Sequence, residues 1–320
     1  MALRTPRRRS PISAPTGVGL FAMRRLAHRT HLAGLLIFLA ACRGEGGRAG
    51  ASHGALTVTD DAGRTVALDA PARRIVSLSP AVTELLYALG AGDRVVGRTT
   101  WCDYPPEVSG VPSVGDGLNP NLEAVAALRP DLAVLYRSPL NEGAARRLDA
   151  LGIRAVVLRQ DRLEDLARAA RLLGRLTGRL EAGDSLVSAI TGLRAAPGAP
   201  LGVSLAVITW DNPLIVIGGT SYLDELTTLA GGRNVFHDIA APSSVVSLET
   251  LAGRNPDVLA VLVDRGPAVL PAFASRREWQ AVPAVRAHRF VVLAGSLFGR
   301  PSPRAGIAIA ELRRRLMAAR

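Results

Sequence analysis

The sequence contains no lysine, two cysteines, five histidines and only 13 aromatic residues in 320, and each shortage excludes something. All 39 basic residues are arginine, a uniformity that reflects codon usage more than phosphate affinity. The formal charge of +12 suggests a nucleic-acid partner until its distribution is read. Residues 1–41 hold seven arginines and no acids, and beyond them 32 arginines face 27 acids. That is an ordinary surface, so no nucleic-acid partner is expected. Of the histidines, His53, His237 and His288 lie beyond residue 41, without metal-ligand spacing and without a nearby Gly-x-Ser-x-Gly elbow. A lipid-anchored hydrolase is the rival of another class, but it would have few general bases. No catalytic residue, no metal site and no cofactor are expected.

The N-terminal region explains the charge. An apolar run, Leu32 to Ala41, follows an arginine-rich stretch and ends in Leu39-Ala40-Ala41-Cys42. Its ten residues are about half of what a membrane span needs, so residues 1–41 read as a secretion signal whose true start is Met23. Cys42 is the expected lipid-attachment site, which places the protein outside the cytoplasm on a membrane anchor. Cys102 is then left without a disulfide partner, and the core alone must hold the fold. Residues 42–55 are rich in Gly, Ala and Ser. The thirteen residues after Cys42 form a flexible tether that spans roughly 20 Å.

From Leu56 onward, short apolar runs alternate with helical patterns. The runs are 74–78, 94–99, 131–136 and 154–158, then 205–210, 257–263 and 290–294. Alternation of this kind predicts α/β architecture with parallel-rich sheets flanked by helices. Between the two sets, residues 163–193 keep near-helical apolar spacing without proline, and predict one long helix of about 45 Å unless Gly174, Gly178 or Gly183 breaks it. The halves also echo each other. Leu122-Glu123 and Pro130-Asp131 recur at Leu248-Glu249 and Pro256-Asp257, and Thr83-Glu84-Leu85 recurs as Asp224-Glu225-Leu226. The expected organisation is an N-terminal lobe over 56–160, an interlobe helix over 161–196 and a C-terminal lobe over 197–320.

Ligands of open α/β sheets sit beyond the carboxyl ends of the strands. The scarce aromatics gather there: Trp101 and Tyr104 follow one strand, Tyr136 and Trp210 end others, and Phe298 follows the last. A ring-lined cleft for a large, flat ligand is the reading this supports, against rings that merely plug the lobe edges. Arg98, Arg137 and Arg300 lie beside the same loops. Glu123 and Glu249 open their helices after Asn121 and Ser247, where a carboxylate suits the helix dipole. The same two acids could present a charged pair to a partner with two basic pockets.

With these residues assembled, the chain resembles the periplasmic metal-chelate receptors of ABC importers, nearest to the cobalamin-binding members. The strings that carry the resemblance are Arg74-Ile75-Val76-Ser77-Leu78-Ser79-Pro80, Asp103-Tyr104-Pro105-Pro106, Asn121-Leu122-Glu123, Gly231-Gly232-Arg233-Asn234-Val235-Phe236 and Ser302-Pro303-Arg304. The resemblance implies a type III binding protein of two lobes joined by one long helix. It implies a monomer that captures a chelate and delivers it to a membrane permease. Cobalamin is the expected cargo, with ferric siderophore or haem as the alternative. It also implies cargo contacts at Trp101, Tyr136 and Arg300, and permease docking through Glu123 and Glu249. Where cobalamin receptors carry tryptophans this chain has Gly117 and Ser244, and Ser296 replaces an acid.

Overall fold

The computed structural model describes residues 56–263 and 271–319. The signal, Cys42 and the tether lie outside the described residues. The N-terminal lobe opens with an antiparallel hairpin, β1 (Leu56–Thr59) and β2 (Thr65–Leu68). There follow β3 (Ile75–Leu78), α1 (Pro80–Ala88), β4 (Val95–Arg98), α2 (Leu122–Ala127), β5 (Leu132–Tyr136), α3 (Pro139–Ala150) and β6 (Arg154–Leu158). The sheet order is β4-β3-β5-β6, parallel throughout.

Two helices come next, α4 (Leu163–Leu176) and α5 (Leu180–Ala195). The C-terminal lobe holds β7 (Ser204–Asp211), β8 (Leu214–Ile217), α6 (Tyr222–Leu229), β9 (Arg233–Asn234), β10 (Ser243–Val245), α7 (Leu248–Arg254) and β11 (Val258–Val263). It ends with α8 (Pro283–Arg286), β12 (Phe290–Ala294), α9 (Gly295–Phe298) and α10 (Ala305–Ala318). Its sheet runs β10-β8-β7-β11-β12, with β9 beside the start of β7. Strands β7, β11 and β12 are parallel, whereas β8 and β10 add antiparallel edges.

The single interlobe helix expected over 161–196 is replaced by a helical hairpin. Gly178 adopts φ +67°, a left-handed turn that ends α4 and reverses the chain. Helix α5 packs back along α4, so that Arg194 near its end comes within 3.8 Å of Glu164 near the start of α4. Gly174 and Gly183 meet at the crossing, where a Cβ on Gly174 would lie 3.1 Å from the Gly183 Cα. The glycines that interrupt the apolar pattern are therefore the turn and the contact point of the hairpin.

Strand alternation divides the core. Ile75, Leu132, Val134, Val156 and Leu158 of the first sheet, with Leu205, Val207, Val258, Ala260 and Val291 of the second, face one continuous apolar seam that also takes in α4, α5 and α10. The residues between them face separate outer cores, one per lobe: Val76, Ala133, Leu135 and Val157 on one side, Ala206, Ile208, Leu259 and Val261 on the other. The lobes are thus distinct sheets that share a buried seam. No helix among the described residues is long and apolar enough to cross a membrane.

Candidate functional site

A cleft of about 950 Å³, at the upper end for small-molecule sites, lies between the two lobes. One wall is built on the carboxyl ends of β3, β4, β5 and β6, the other on α6, β10 and the segment after β12. Trp101 sits in the loop after β4, with half its surface exposed. Arg98 fixes that loop. Its guanidinium donates to the Val108, Val111 and Thr99 carbonyls at 2.9–3.0 Å, and so it serves the loop and not the cargo. Cys102 is buried beneath, within 3.1 Å of Thr83 Oγ1 and 3.2 Å of Thr99 Oγ1, a core thiol turned away from the cleft.

Tyr136 ends β5, and its hydroxyl donates to Asp161 Oδ1 at 2.8 Å. Burial first, then that carboxylate, pushes its phenol up to about 12. The neighbouring 116–119 loop is held from two sides. Asp116 Oδ1 accepts from the Leu118 and Asn119 amides, and Asn141 Nδ2 donates to the Gly117 and Tyr136 carbonyls. At Gly117 a Cβ would stand 2.5 Å from the Leu78 carbonyl oxygen. The backbone itself fills the place of a side chain there.

On the facing wall, Phe298 is buried at the base and Arg300 lines the rim. Arg300 is not a free cation. It donates to Glu84 Oε1 at 3.0 Å and to Asp103, while Arg304 grips Glu84 through two further bonds of 2.7 Å. Glu84 belongs to α1 and its side chain is 2% exposed. This is a buried clasp of one lobe's carboxylate by the other lobe's arginines. Its echo, Glu225 of α6, accepts from the Leu163 amide and from Arg194 at 3.0 Å each, and so ties the second lobe to the hairpin.

The structure therefore brings Trp101, Tyr136, Phe298 and Arg300 to the cleft. Two candidates fall outside its lining. Tyr104 lies under the Arg304 guanidinium at 3.8 Å and supports the clasp. Trp210 is 60% exposed and donates to the Asn212 carbonyl. It lies near the end of β7, before the turn into β8, and outside the lining. Arg137 pairs with Glu142 outside the lining. Ser296 lines the cleft, whereas Ser244 does not. Glu123 and Glu249 are exposed in the first turns of α2 and α7, each after an N-cap whose side chain accepts from an amide of that turn. The Ser247 hydrogen bond holds the Glu249 carboxyl below its ordinary value.

Sequence reasoning missed Gln160, Asp161 and Tyr222, all in the lining. Gln160 and Asp161 follow β6 directly, so the strand-end rule applied to every strand, and not only to the aromatics, would have found them. The charged residues of the lining are Asp103, Asp116, Asp161 and Arg300. The wall is acidic, and its one arginine is already paired. Among the described residues there is no group of His, Cys, Asp and Glu that could hold a metal ion.

Two α/β lobes with a cleft between them lined by acids and rings have the architecture of a solute-binding protein. The periplasmic binding protein family model matches residues 75–297, and the chain belongs to that family. It is a non-enzymatic, extracytoplasmic transport component of type III architecture. Among similar proteins, the vitamin B12-binding protein of Salmonella typhimurium is 32% identical over 194 residues, 59% of this chain and 72% of that one. A substrate-binding lipoprotein of an ABC transporter in Bacillus subtilis is 28% identical, covering 80% and 84%. The crystal structure of the periplasmic vitamin B12 binding protein of Vibrio cholerae superposes with a TM-score of 0.63 at 27% identity, over 78% of this chain and 98% of that one.

Proposed function

We propose that this protein captures a corrinoid, cobalamin by preference, and delivers it unchanged to the permease of an ABC importer. The observation that carries the choice of cargo is the charge of the cleft. Asp116 and Asp161 face it outside any ion pair among the described residues, while Arg300 is already committed to Glu84 and Asp103. A dicarboxylate such as haem, or an anionic ferric siderophore, would meet like charge without a free cation to answer it. A corrinoid offers a broad ring system edged with neutral amides. Trp101 and Tyr136 supply the apolar faces for it.

In this reading Glu123 and Glu249, at matching places in the two lobes, dock onto basic pockets of the permease. Cys42 carries the lipid that keeps the receptor at the membrane, and the protein acts as a monomer without a resident cofactor. The test is an equilibrium titration with cyanocobalamin, haemin and ferric siderophores, followed by tryptophan fluorescence. Saturation by one cyanocobalamin, tighter than by haemin, is expected. Tighter binding of haemin or of an anionic siderophore overturns the cargo assignment.

A further inference from the structure

Three buried side-chain atoms lack a hydrogen-bond partner among the described residues: Asn141 Oδ1, Gln160 Nε2 and Tyr222 Oη. Gln160 and Tyr222 line the cleft, one from each lobe, and they are 6% and 5% exposed. Buried polar groups left unpaired lower stability, and native proteins keep few of them. Two in one cleft, on opposite walls, call for an occupant.

The local geometry decides what they offer. Ser79 donates its hydroxyl to Gln160 Oε1 at 2.5 Å, which fixes the carboxamide and leaves its NH₂ group to donate. Tyr222 opens α6 directly after the N-cap Ser221, so its ring is placed by the helix start. Its oxygen lies near the Ser302 amide but makes no hydrogen bond of normal geometry. Burial, with Glu84 and Glu225 nearby, raises the phenol well above its ordinary value, so it stays protonated and can donate. Asp161, next to Gln160 in the chain, and Asp116 in the same lining disfavour a negative charge on whatever meets these donors.

We infer that Tyr222 and Gln160 are the polar specificity determinants of the cleft: each donates a hydrogen bond to a neutral carbonyl oxygen on the cargo rim, and together they select carboxamide-bearing over carboxylate-bearing chelates. The inference rests on the cargo-binding role argued above, and it adds the chemistry the cargo must present. The orphaned donors weaken the free protein, and cargo satisfies them.

The experiment pairs two readouts on Tyr222→Phe and Gln160→Glu: the dissociation constant for cyanocobalamin and the melting temperature of the free protein. Each variant should weaken cyanocobalamin about 5- to 30-fold. Tyr222→Phe should melt no lower than wild type, because it removes an orphaned hydroxyl without removing the ring. A corrinoid with its side-chain amides hydrolysed to carboxylates should bind wild type more weakly than cyanocobalamin does. Unchanged affinity in both variants overturns the inference, as does preference for the hydrolysed corrinoid. If wild type binds no corrinoid, the cargo assignment fails separately. The melting temperatures still judge the inference, since a Tyr222→Phe protein less stable than wild type makes the hydroxyl structural.

Discussion

Trp101 lines the cleft, half exposed, on a loop that Arg98 has already ordered, so little entropy remains to be lost when cargo stacks on it. Trp101→Ala should therefore weaken cyanocobalamin by about 1–3 kcal/mol, measured by calorimetry, as for a central aromatic anchor. Unchanged affinity would remove it from the site. Gly117 shows the opposite limit. Its Cβ would press on the Leu78 carbonyl, and that backbone cannot move aside as a flexible side chain could. Gly117→Ala should cost about 1–3 kcal/mol of stability in denaturant unfolding. A neutral substitution would show that the loop is free to retreat. The sequence marked Trp101, Tyr136 and Phe298 because rings are rare enough here for their placement to carry information. It could not reveal that Trp210 sits on a strand that folds over into a hairpin, nor that Arg300 is neutralised, since both depend on partners far along the chain.

At the scale of elements, β3 to β7, β11 and β12 were legible because each is a short apolar run, whereas the β1–β2 hairpin and strands β8, β9 and β10 went unread. The connector was misread because both helices of the hairpin bury a stripe in the same seam. Their apolar spacing therefore runs on across Gly178 as though no turn intervened. The start of α4 makes a pH-dependent contribution. Burial pushes the Asp165 carboxyl up, but hydrogen bonds from Arg168, the Asp161 amide and Arg159 together hold it below its ordinary value. A carboxyl depressed in the folded state stabilises above its unfolded pKa, and that stability disappears as pH falls through the folded value. Asp165→Asn should thus melt lower than wild type at neutral pH, with the gap closing below about pH 4. A gap that stays constant into acid would contradict this. The echo of Thr83-Glu84-Leu85 in Asp224-Glu225-Leu226 has a physical basis in two buried carboxylates, of which Glu84 joins the lobes and Glu225 ties the second lobe to the hairpin. Glu84→Ala strands Arg300 and Arg304 in a buried site and should cost about 3–5 kcal/mol. Chemical denaturation reads this directly, and a loss below 1 kcal/mol would mean that the clasp is ornamental.

For the whole molecule, one face of each sheet enters a common seam while the other closes its own core. The paired clasps lie across the same region. A receptor built this way opens and closes over a small range, so its radius of gyration in solution scattering should change little when cargo binds. Exposed Glu123 and Glu249 lie outside the cleft lining. Changing both to Ala should leave cyanocobalamin affinity intact and abolish uptake through the permease, and normal uptake would remove them from docking. The central claim is that one cargo molecule is held unaltered between both walls of the cleft. Hydrogen exchange with and without cyanocobalamin tests it most directly. The expected result is protection in residues 99–103 and 116–119 of one lobe together with 221–223 and 295–301 of the other, and protection confined to one lobe would contradict it.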